Sequence, residues 1–140
     1  MAVLPEQLVD LAAELLNPNP SEPRCRAAIS RAYYGAFHAA QQVCPKGAQR
    51  SGNEKHGSHE AMIVAMTKHR GTDERDNLIR NVGHLLNQLR PRRRDADYRL
   101  EKNIDQRVAE RVICEARIVL RKIERIRSLQ GDRAAGSASG

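Results

Sequence analysis

A chain of 140 residues with a net charge of +7, in which 19 of the 24 basic residues are arginine, has the length for one buried core and suits polyanions or an acidic partner. Aromatic residues make up 3% and tryptophan is absent, so an extended base-stacking platform has little support and the composition favours a core packed through aliphatic stripes. No apolar run approaches the roughly 18 residues of a membrane span, and the N-terminus lacks the charged start of a signal peptide. Cys25, Cys44 and Cys114 are far apart, odd in number and in no metal-ligand spacing. That pattern fits reduced thiols in a cytoplasmic protein with no disulfide frame.

In chain order, Pro5 suits a first helical turn, and Leu4, Leu8, Leu11, Ala12 and Leu15 recur at helical spacing until Asn17-Pro18-Asn19-Pro20 breaks the pattern. Ser21 caps a second helix, expected to run to Cys44. Residues 45–57 read as a flexible basic loop; its glycines follow no strand and match no phosphate-binding loop. Ser58 opens a short third helix carrying Met62, Ile63 and Met66, which ends near Gly71. Thr72 or Asp73 opens a fourth, with Leu78, Ile79, Val82, Leu85, Leu86 and Leu89 on its apolar face, and Pro91 predicts its end. The Arg90–Arg94 run is then a turn. A fifth helix spans 104–129 on a stripe from Ile104 to Ile126, and 131–140 read as a disordered tail. The expected fold is all-α, an antiparallel helical bundle of four long helices plus a short one, with a single domain over 1–130.

The second helix carries the chemistry. Arg31 and His38 are seven residues apart, about 20° from alignment on a helix, with Tyr34 between them. Ala28, Ala32, Gly35 and Ala39 form a neighbouring small-residue stripe, assigned to a close helix contact near a two-fold interface.

Ser30-Arg31-Ala32-Tyr33-Tyr34-Gly35-Ala36-Phe37-His38-Ala39-Ala40 closely resembles the signature helix of a bacterial and archaeal branch of the HEPN domains. In that branch the helix is followed by a histidine-led helix, here His59-Glu60-Ala61-Met62, and by R-x-x-A-D-Y. Arg94-Asp95-Ala96-Asp97-Tyr98 carries the last motif with Arg94 one place too close; Arg93 restores the spacing. The resemblance covers roughly residues 20 to 127.

What it implies is metal-independent RNA cleavage without a cofactor, in a homodimer whose two copies share a groove. HEPN ribonucleases carry an arginine and a histidine separated by four to six residues, and Arg31 and His38 have six between them. Arg50 and His56 also fit, but in a glycine-rich loop that holds no register. His38 would move a proton at the 2′-hydroxyl or the 5′-oxygen, and Arg31 would hold the scissile phosphate. The products would be a 2′,3′-cyclic phosphate and a 5′-hydroxyl end. Ser30, Tyr34, Asp97 and Tyr98 would support the pair, and Arg90, Arg92, Arg93, Arg94 and Arg99 would grip the RNA backbone. The setting would be a toxin with a nucleotidyltransferase antitoxin, or a defence system. The competing reading is a non-catalytic helical adaptor for such a nucleotidyltransferase or another protein. In that reading Arg31 forms a buried salt bridge with Asp97 and closes the turn between helices four and five.

Overall fold

A computed structural model describes residues 2–45 and 58–139, with side-chain surroundings described over 2–45 and 59–131. The basic loop, with Arg50 and His56, lies outside the described residues apart from Pro45. Five helices follow in order: α1 (Pro5–Leu15), α2 (Glu22–Gln41), α3 (Ser58–Thr67), α4 (Glu74–Tyr98) and α5 (Gln106–Ser139). Among the described residues there is no strand, and the chain is all-helical.

α2 lies at the centre, against α1, α4 and α5, while α3 packs on α4. Its sequence explains the position: Cys25, Ala28, Ile29, Ala32, Tyr33, Ala36, Phe37, Ala39 and Ala40 are all buried, so the helix is apolar around most of its circumference. A Cβ on Gly35 would stand 2.6 Å from Val9 Cγ2 and 2.8 Å from the Pro5 carbonyl oxygen, so α1 touches the backbone of α2 there. The small-residue stripe assigned above to a two-fold contact is therefore covered within the chain. The face of α1 is also rotated from the expected one. Val9, Ala12 and Leu16 are buried, while Leu4 and Leu11 are 45% and 41% exposed.

The capping of α4 follows expectation: Asp73 Oδ1 accepts from the Asp76 amide at 2.8 Å. Its end does not. α4 runs through Pro91 to Tyr98, so the Arg90–Arg94 turn read from the sequence is helix. An interior proline removes one backbone bond and crowds the preceding turn, at about 3 kcal/mol. Burial on both sides of Pro91 offsets this, since Leu86, Leu89, Arg93 and Ala96 continue one inward stripe across it. We expect Pro91→Ala to raise thermal stability by roughly 1–3 kcal/mol, because Pro91 is exposed and alanine restores the missing donor. Unchanged melting would show that the helix is interrupted there after all.

α5 buries Ala109, Val112, Ile113, Ala116, Val119, Ile123 and Ile126. Its backbone is helical as far as Ser139, beyond the Gly131 at which the tail was expected to begin. No described helix is long and apolar enough to cross a membrane.

Candidate functional site

The helical register of α2 and α4 decides which polar side chains meet. Arg31 is half-buried at the edge of α2, with its guanidinium carbon 5.5 Å from the centre of the Tyr34 ring and Nη2 at the outer limit of hydrogen bonding to Ser30 Oγ, 3.5 Å. Among the described residues it forms no ion pair. His38 is exposed two turns on, where its Nδ1 lies 3.1 Å from Gln41 Oε1 and its ring 6.2 Å from that of Tyr34. Arg31, Tyr34 and His38 thus occupy one continuous strip, as their spacing predicted. Beyond His38 the strip runs into a cleft formed with Val3, Leu4, Pro5, Leu8, Gln41 and Gln42.

Asp97 does not pair with Arg31. It lies 3.7 Å from Arg93 Nη1 and accepts a long bond from Ser30 Oγ at 3.4 Å. The buried Arg31–Asp97 bridge of the architectural reading is absent, and Arg93 holds that place. Arg93 is 9% exposed, with its guanidinium carbon 5.4, 5.7 and 5.9 Å from the rings of Tyr33, Tyr34 and Tyr98. A guanidinium is weakly hydrated and stacks on aromatic faces, which is why arginine tolerates this burial. Of the two arginines competing for the R-x-x-A-D-Y spacing, Arg93 faces the aromatic cluster and Arg94 is exposed.

The turn between α4 and α5 is closed by a residue the sequence left unnoticed. Arg26 donates from Nη1 to the carbonyls of Asp95, Ala96 and Arg99, at 3.2, 3.1 and 3.2 Å, and from Nη2 to that of Lys102. Its Nε bonds Glu22 at 2.9 Å. These carbonyls at and beyond the end of α4 would otherwise need water, and one planar fork reaches them all.

His59, on α3, is the other addition. Its ring stacks on Phe37 with centroids 3.7 Å apart and planes 9° from parallel, and its Nδ1 lies 3.0 Å from the Tyr33 hydroxyl. Burial, and then the charges of Arg93, Arg90 and His38, depress its pKa below the ordinary 6.5. Burial pushes the Tyr33 phenol up to about 12, so it stays a hydrogen-bond donor.

The five arginines expected to grip a backbone do not form one patch, because a helix turns about 100° per residue. Arg93 and the half-buried Arg90 are the charged neighbours of Tyr33 and His59. Arg94 and Arg99 line a cleft with Pro91, Asp95 and the exposed Tyr98. Arg92 lines another, with Gln88, Arg111 and Glu115. Arg99 is also partly neutralised by Asp95, 3.5 Å away. Among the described residues no cluster of histidine, cysteine or carboxylate groups has a metal-holding arrangement. Cys25 is buried and its thiol pKa is raised by that burial and by nearby Asp105, Glu110 and Glu22, which leaves it a poor nucleophile. Comparison with family profiles, with curated proteins and with solved structures yields no match.

Proposed function

We propose that this chain is a HEPN-like module, an antiparallel bundle of four long helices plus a short one, that cleaves RNA without a metal. Arg31 binds the scissile phosphate and His38 transfers the proton. The observation that carries the reading is the state of Arg31: its charge is not consumed by Asp97, and it shares a strip with an exposed imidazole across Tyr34. A guanidinium spread on a tyrosine face keeps donors for an oxyanion, and its charge would stabilise the phosphorane-like transition state. With one imidazole on the strip, acid and base roles at opposite oxygens call for a second copy, hence a homodimer.

The test is incubation of the full chain with a structured RNA in excess chelator. Fragments ending in 2′,3′-cyclic phosphate and 5′-hydroxyl groups are expected, and no cleavage, or cleavage only with added metal, would refute the reading. The adaptor alternative draws on a different observation. Val3 and Leu4 are 54% and 45% exposed and form an apolar rim beside His38. Such a rim suits docking of a nucleotidyltransferase or another protein better than it suits RNA.

A further inference from the structure

Between α2, α3 and α4 stands a group of side chains with hydrogen-bond donors for which the described residues offer few acceptors. Among the described residues, the Nε–H groups of Arg90 and Arg93 are buried without an acceptor. Among the described residues the carboxylate paired with Arg93 is Asp97, whose 3.7 Å separation exceeds a hydrogen bond. Tyr33 is fully buried, and its hydroxyl has one partner among the described residues, His59 Nδ1 at 3.0 Å. In the tautomer where the phenol donates to Nδ1, the imidazole hydrogen sits on Nε2 as a further donor.

A buried donor left unpaired costs on the order of 1–3 kcal/mol, so a native cluster with this imbalance has reason to be completed from outside. The completing group has to be an acceptor with several oxygens and negative charge, because two guanidiniums lie close to Tyr33 and His59 and, among the described residues, Asp97 is the one carboxylate within ion-pair distance of either. A neutral acceptor such as a base carbonyl would satisfy one donor and leave the charge. A phosphoryl group satisfies both requirements.

We propose that Arg90, Arg93 and His59 form a phosphate-binding site, taking a phosphoryl group either from an RNA backbone or from a free nucleotide. The site shares the Tyr34 ring with Arg31, whose guanidinium carbon and that of Arg93 stand 5.5 and 5.7 Å from the ring centre. It does not depend on cleavage by Arg31 and His38.

Calorimetric titration of the full chain with inorganic phosphate, adenosine monophosphate and a short oligoribonucleotide tests it. Saturable binding of at least one is expected. Binding of phosphate or the mononucleotide identifies a free-phosphate site, and binding of the oligonucleotide alone identifies a backbone site. Arg90→Gln and His59→Gln should each weaken that binding roughly tenfold, the equivalent of one charge-assisted bond. Arg117→Gln, which removes an exposed pairing with Asp10 on the surface of α5, should leave it unchanged. Cleavage by Arg31 and His38 is read separately, in the chelator assay, so a failed nuclease reading and a failed phosphate site remain separable. The proposal is overturned if none of the three ligands binds, or if Arg90→Gln binds as the wild type does. It is equally overturned if a folded Arg93→Met variant keeps full affinity, since the guanidinium would then be packing for the tyrosines and nothing more.

Discussion

Arg26→Ala is expected to lower the melting temperature by about 10 °C, on the order of 3 kcal/mol for a domain of this size. The side chain of Arg26 is 11% exposed, and its fork joins α2 to four backbone carbonyls around the end of α4. Removing it strands acceptors that are partly buried, and it frees the segment that carries Asp97 and Tyr98. Water can reach the Arg99 and Lys102 carbonyls, which limits the loss. It reaches the Asp95 and Ala96 carbonyls less well, because Ala96 is 3% exposed. Arg26→Lys should recover little, since an ammonium is a point charge and cannot span the same set of acceptors. Thermal melts of the three proteins at one pH decide the matter; an alanine variant within about 2 °C of wild type would mean that the α4–α5 turn is held by its own backbone.

His38→Ala should reduce RNA cleavage by about 10²–10⁴-fold, the usual contribution of a positioned general acid or base. It should do so with little effect on melting, because His38 is exposed and, among the described residues, its hydrogen bond is to Gln41 on the same helix. His59→Ala makes the instructive contrast. It removes a ring stacked at 3.7 Å on Phe37 and the partner of a fully buried tyrosine hydroxyl, so it should unfold more readily whatever it does to RNA. Unchanged cleavage by a folded His38→Ala variant would remove His38 from the mechanism.

The helices were legible because aliphatic residues recur at helical spacing, and the cap at Asp73 because its side chain acts on a neighbour in sequence. Pro91 misled for a physical reason: the rule that proline ends helices is local, while the inward stripe through Leu89, Arg93 and Ala96 is tertiary and outweighs it. Misplacing that end also hid the arrangement of the arginines. Once α4 continues, helical geometry alone turns Arg93 inward and Arg94 outward. Arg31, Tyr34 and His38 were placed together by spacing, and the structure keeps them so. Arg26 left no comparable trace, because its partners are carbonyl oxygens that every residue possesses. His59 meets Tyr33 only through tertiary packing, from a helix 26 residues further along the chain. The face of α1 was misjudged because leucines on two sides of one short helix satisfy the same period, and only contact with Gly35 selects the side bearing Val9.

The most direct measurement takes one preparation of Arg31→Ala and reads both its melting temperature and its cleavage of RNA in chelator. With Arg31 resting on Tyr34 and unpaired with Asp97, the account predicts melting within about 2 °C of wild type, as for surface changes of up to about 0.5 kcal/mol. It predicts cleavage reduced by at least about 10²-fold, as when an oxyanion-stabilising donor is removed. A variant that melts about 10 °C lower would contradict it, because that is the signature of a broken buried pair and would make Arg31 part of the architecture. A stable variant that still cleaves RNA at the wild-type rate would contradict it equally.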